Sequence, residues 1–154
     1  MQNIVFLTDV NALGFIRNAG PYRLVTELRK NGYEVQVIDF VQTLPINDVE
    51  KLFQKYITKD TIFVGVSMTF LTDIVINKDE KQYFYKDELF TDNRLIDLCY
   101  RFKELTGTKF ILGGSRKQGT ENFEKQYWNL FDVYVEGYDV YSDFVSLLQP
   151  LSDT

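Results

Sequence analysis

Five short apolar runs, at 4–7, 35–40, 62–66, 110–112 and 133–135, alternate with segments of helical periodicity. No other feature of the chain restricts its fold as much. The first, third and fourth runs are nearly continuous in apolar residues. Strands covered on both faces read this way, and such strands belong to parallel sheets flanked by helices. Strands alternating with helices imply right-handed βαβ crossovers. Five of them fit a doubly wound, Rossmann-like sheet in the flavodoxin-like order 2-1-3-4-5. At 154 residues the chain predicts a single α/β domain over 1–154.

The intervening segments carry helix signals. Gly20-Pro21 opens the first, where a missing N–H is tolerated; Leu24 and Leu28 share a face, and Asn31-Gly32 stops it. A second helix is expected over 48–56, capped by Asn47, with Val49, Leu52, Phe53 and Tyr56 facing inward. In the third, Leu95, Leu98, Cys99, Phe102 and Leu105 form one stripe, and Gly107 ends it. Further helices are expected over 121–129, with Phe123, Tyr127 and Trp128, and from about 140 on. The segment between the third run and third helix is far longer than an ordinary βα loop. Within this insertion, about 73–90, Ile74-Val75-Ile76 and Tyr83-Phe84-Tyr85 flank a polar turn and predict a small hairpin.

Composition removes several chemistries. The chain has no histidine, so the commonest general base and metal ligand is missing. Its one cysteine, Cys99, permits no disulfide or cysteine-ligated cluster within the chain and reads as a core thiol. That usage fits a cytoplasmic compartment. The net charge of −5, without a basic block, argues against nucleic acid as a partner. No apolar run reaches the roughly 18 residues that span a membrane, and the amino terminus reads as no signal peptide. No catalytic residue and no metal site are expected within this chain.

In the order 2-1-3-4-5 the loops after strands 1, 3 and 4 line one crevice. They read Thr8-Asp9-Val10-Asn11-Ala12-Leu13-Gly14, Ser67-Met68-Thr69 and Gly113-Gly114-Ser115. A glycine pair can serve only a tight turn, and a strand-end serine can serve only its own backbone. Taken together, the three resemble the cobalamin-binding domain of B12-dependent enzymes. That family carries D-x-H-x-x-G after strand 1, S-x-L or S-x-T after strand 3 and G-G after strand 4. Here Asn11 replaces the histidine. The chain further resembles the amino-terminal domain of B12-binding radical SAM proteins. Gly20-Pro21-Tyr22-Arg23-Leu24, Gly32-Tyr33-Glu34-Val35, Val64-Gly65-Val66-Ser67 and Asp132-Val133-Tyr134-Val135-Glu136-Gly137 carry that likeness.

The resemblance implies a cofactor site made of Asp9, Val10, Asn11, Gly14, Ser67, Met68, Thr69, Gly113, Gly114, Ser115, Glu136, Gly137 and Tyr138. Ser67, Thr69, Gly113 and Gly114 would line the slot for the nucleotide tail, with Glu136-Gly137-Tyr138 at its open end. Cobalamin would be held without a histidine on the metal and with its own base off. An iron–sulfur cluster and S-adenosylmethionine would belong to a radical SAM partner domain, since this chain lacks C-x-x-x-C-x-x-C. The alternative is a related domain that binds no cobalamin and serves as a docking module. Other cofactor motifs are missing: there is no G-x-G-x-x-G after strand 1 and no G-x-x-x-x-G-K-[ST]. A receiver domain would need an aspartate where Ser67 ends strand 3.

Overall fold

The computed structural model describes residues 2–8, 19–41, 44–67, 74–77, 82–85, 93–114 and 129–136. In chain order its elements are β1 (Asn3–Leu7), α1 (Ala19–Lys30), β2 (Glu34–Ile38), α2 (Ile46–Tyr56) and β3 (Thr61–Ser67). Then follow β4 (Ile74–Asn77), β5 (Gln82–Tyr85), α3 (Asn93–Thr106), β6 (Lys109–Gly114) and β7 (Val133–Glu136). The sheet order is β2-β1-β3-β6-β7, and every ladder in it is parallel. Strands β4 and β5 form a separate antiparallel pair, Ile74 opposite Tyr85 and Asn77 opposite Gln82, as the insertion predicts. The helices expected over 121–129 and from 140 on fall outside the described residues, apart from Asn129 in a turn.

Alternation along the strands sorts side chains onto two faces. Ile4, Phe6, Phe63 and Ile111 pack with Val25 and Leu28 of α1. Val5, Leu7, Val64, Val66, Phe110 and Leu112 pack with Val49 and Phe53 of α2 and with Leu95, Leu98, Cys99 and Phe102 of α3. Both faces of β1, β3 and β6 are therefore covered, which is why those runs are continuously apolar. On one face Phe6 stands edge-on to Phe63 with ring centroids 5.8 Å apart; on the other, Phe53 meets Phe102 at 5.4 Å in the same manner.

Two helix stops follow from glycine. At the end of α1, Gly32 has φ +88°, its N–H bonds the Arg29 carbonyl, and the Tyr33 N–H bonds that of Leu28. This is the Schellman pattern, completed by Tyr33 packing into the cluster that holds Leu28. At Gly107, φ +71°, a single bond from its N–H to the Lys103 carbonyl ends α3. Two expectations need correction. Helix α2 begins at Ile46 after Pro45, without a side-chain cap, and Asn47 lies exposed inside its first turn. The Asp48 and Val49 N–H groups bond the Pro45 carbonyl instead, so the backbone does what a cap would do. Leu105 is 63% exposed, because in the last turn of α3 the stripe has rotated away from the core.

The amino ends of the strands are tied by polar side chains. Thr61 Oγ1 donates to Asn3 Oδ1 at 2.8 Å and accepts from the Thr58 N–H at 2.9 Å. Asn3 Nδ2 donates to the Tyr56 carbonyl at 2.8 Å, and Thr108 Oγ1 to that of Thr58 at 3.1 Å. Before β7, Asp132 Oδ2 accepts from the Phe110 N–H at 2.9 Å and pairs with Lys103.

Gly65 is a position of close approach in the sheet. A Cβ there would lie 2.6 Å from Phe6 Cε1 and 2.8 Å from Cδ1. The Phe6 ring is 5% exposed and held against Phe63, so it has little room to shift. Gly65→Ala is expected to destabilise the protein by about 1–3 kcal/mol through overpacking. Urea unfolding of the variant checks this; an unchanged midpoint would mean that the ring moves freely.

Candidate functional site

The carboxyl ends of β1, β3, β6 and β7 lie side by side. Leu7 pairs with Val66, Ser67 with Gly113, Gly113 with Val135 and Gly114 with Glu136. Four residues expected in the site, Ser67, Gly113, Gly114 and Glu136, are thus brought together by register. Asp9, Val10, Asn11, Gly14, Met68, Thr69, Ser115, Gly137 and Tyr138 lie outside the described residues.

Alternation fixes the face. Phe63 and Ile111 are on the α1 face, so positions 67 and 113 fall on that face too, as does position 8 beyond Phe6. One row at the carboxyl ends therefore holds Thr8, Ser67 and Gly113. Gly113 is half-buried, whereas Ile111 and Leu112 before it are buried: the sheet surface opens at the glycine. The row beneath carries the Phe6 ring over Gly65, an apolar floor.

The sequence puts Thr8 at the head of the first crevice loop, but it was not among the expected site residues. Its N–H bonds the Ile38 carbonyl at 3.1 Å and its carbonyl accepts from the Val41 N–H at 3.3 Å. Its side chain is fully buried, yet Oγ1 has no hydrogen-bond partner. Nearby, β2 leads into Asp39 and Phe40. Tyr22 of α1 donates its hydroxyl to Asp39 Oδ2 at 2.7 Å, and the Phe40 N–H bonds Asp39 Oδ1 at 2.8 Å. Phe40 has φ +59°, a left-handed conformation uncommon for a bulky residue. The signal for Thr8 was its place: a hydroxyl at the next position of a face that otherwise carries Ile4 and Phe6.

Other candidates carry less. Cys99 is fully buried, and burial pushes its thiol well above the ordinary range, so it is an inert core group. A cleft of about 250 Å³ between α2 and α3 is lined by Ile46, Glu50, Arg94, Asp97, Leu98 and Arg101. It is smaller than the roughly 300–1,000 Å³ of ordinary ligand sites, and Arg101 is paired with Glu50. Among the described residues no three acidic or cysteine side chains cluster as metal ligands would, and no helix is long and apolar enough to cross a membrane.

No family model matches the chain, and no curated protein matches it. Solved structures do. A response regulator receiver domain protein from Clostridium thermocellum aligns with TM-score 0.55 and 10% identity, over 98% of this chain and 94% of that one. A CheY-like receiver domain protein from Methanospirillum hungatei gives 0.53 and 11%, over 99% and 95%. A de novo designed Rossmann 2x3 protein gives 0.51 and 13%, over 100% and 94%. At such identities the likeness concerns architecture alone: the chain has the parallel-sheet α/β fold, flavodoxin-like, that receiver domains share.

Proposed function

We propose that the chain is a cobalamin-binding module that works with a radical SAM catalytic domain. The observation that supports this most is the register that sets Ser67 against Gly113 at the carboxyl ends of the central strands, where Gly113 is half-buried. A glycine there lets a ligand approach the backbone closely, and hydroxyl residues beside it offer bonds to a nucleotide tail. The unpartnered, buried Thr8 hydroxyl fits the same need. On these counts the residues suit the tail. They offer the cobalt no imidazole, since the chain has no histidine. Bound cobalamin would supply methyl transfer or related radical chemistry to the partner domain. This chain would bind and orient it. The phosphoacceptor aspartate of a receiver domain would end β3, where this chain has Ser67.

The test is gel filtration of the purified protein mixed with hydroxocobalamin. Corrin absorbance should co-elute with the protein; corrin found only in the small-molecule volume would leave the docking-module reading in its place. The bound cofactor should show a base-off spectrum that stays constant from about pH 5 to 8, where a histidine ligand would titrate. Asn11→His should introduce that titration, with Asp9 orienting the new ring. A base-on spectrum for bound wild type would remove the tail from the slot.

A further inference from the structure

Three threonines are buried among the described residues, and they differ in one respect. Thr61 and Thr108, at the amino ends of the strands, both donate and are part of a satisfied network. Thr8, at the carboxyl end of β1, neither donates nor accepts through Oγ1. Valine would fill nearly the same volume without a buried, unpaired polar atom, so the hydroxyl is a burden on the free protein. The Thr8 N–H and carbonyl are bonded to Ile38 and Val41 on the β2 side, and no backbone carbonyl takes up the hydroxyl. The backbone at position 8 is thus anchored beside the strand ends that carry Ser67 and Gly113.

We infer that Thr8 is a ligand-binding residue whose hydroxyl stays unpaired in the free protein and donates to an oxygen of the nucleotide tail in the complex. This inference rests on the cobalamin reading and extends it by one residue. Its consequence has two opposite signs. Removing the hydroxyl should help the free protein and harm the complex, whereas a merely structural threonine would lose stability.

The experiment compares wild type, Thr8→Val and Thr8→Ser by calorimetric melting of the free proteins and by absorbance titration with hydroxocobalamin. Thr8→Val should melt about 2–4 °C above wild type and bind at least tenfold more weakly. Thr8→Ser, which keeps the hydroxyl, should bind within a few-fold of wild type. A Thr8→Val protein that melts at or below wild type would show the hydroxyl already paired, and overturn the inference. Wild-type affinity in a stabilised Thr8→Val would overturn it as well, while leaving the cobalamin reading intact. Wild type that takes up no hydroxocobalamin would instead overturn that reading, and the tail as Thr8's partner with it.

Discussion

Gly113→Leu is expected to lower hydroxocobalamin affinity by well over tenfold while the protein stays folded. Position 113 sits between Ser67 and Val135 in the row at the carboxyl ends, and it is half-buried. A leucine there would stand where the tail must lie against the backbone. Tenfold corresponds to only ~1.4 kcal/mol, and excluding a buried part of a ligand exceeds that readily. Circular dichroism and the melting temperature establish that the variant folds; an absorbance titration measures affinity. A folded variant with unchanged affinity would place any cobalamin elsewhere.

Phe53→Ala should be the most damaging single truncation of the α2 side, at about 3–5 kcal/mol. Phe53 is fully buried and reaches from α2 to the Phe102 ring of α3, 5.4 Å away at an interplanar angle of 90°. Truncation removes that edge-to-face contact and leaves a cavity where α2, α3 and the sheet converge. Because whole domains are stable by only about 5–15 kcal/mol, the variant should unfold at much lower urea. Its denaturation midpoint checks this. A loss below about 1 kcal/mol would mean that the two helices close over the gap.

The frame of the molecule was legible because burial on both faces leaves a trace in the chain. The continuously apolar β1, β3 and β6 are the inner strands, and Gly32 and Gly107 end helices where the sequence places them. The loops carrying Ser67 and Gly113 could be placed side by side in advance, because strand order decides which loops meet; their register could not. Asn47 misled because side-chain capping was assumed, while the Pro45 carbonyl serves the first turn of α2. Leu105 misled because a stripe of apolar letters does not say where a helix leaves its partner. Thr8 was placed by its position after Phe6, but a threonine is ordinary, and only its surroundings reveal a hydroxyl without a partner. The Asp39–Tyr22 bond was equally hidden, since it joins α1 to the end of β2 across a turn of chain.

The strand order also has a consequence during synthesis. In the sheet each strand meets its neighbours only across a helix or a longer segment, whereas β4 and β5, which pair with each other, lie close together in sequence. That hairpin can close in about 1–10 μs, long before any parallel ladder. Strand β3 fares differently. Its first side is taken by β1, but its second must wait for β6, which begins at Lys109. At ribosomal rates of about 5–20 residues per second, an apolar strand with one unpaired side persists for on the order of seconds. During that interval β3 offers an unpaired edge to misassociation.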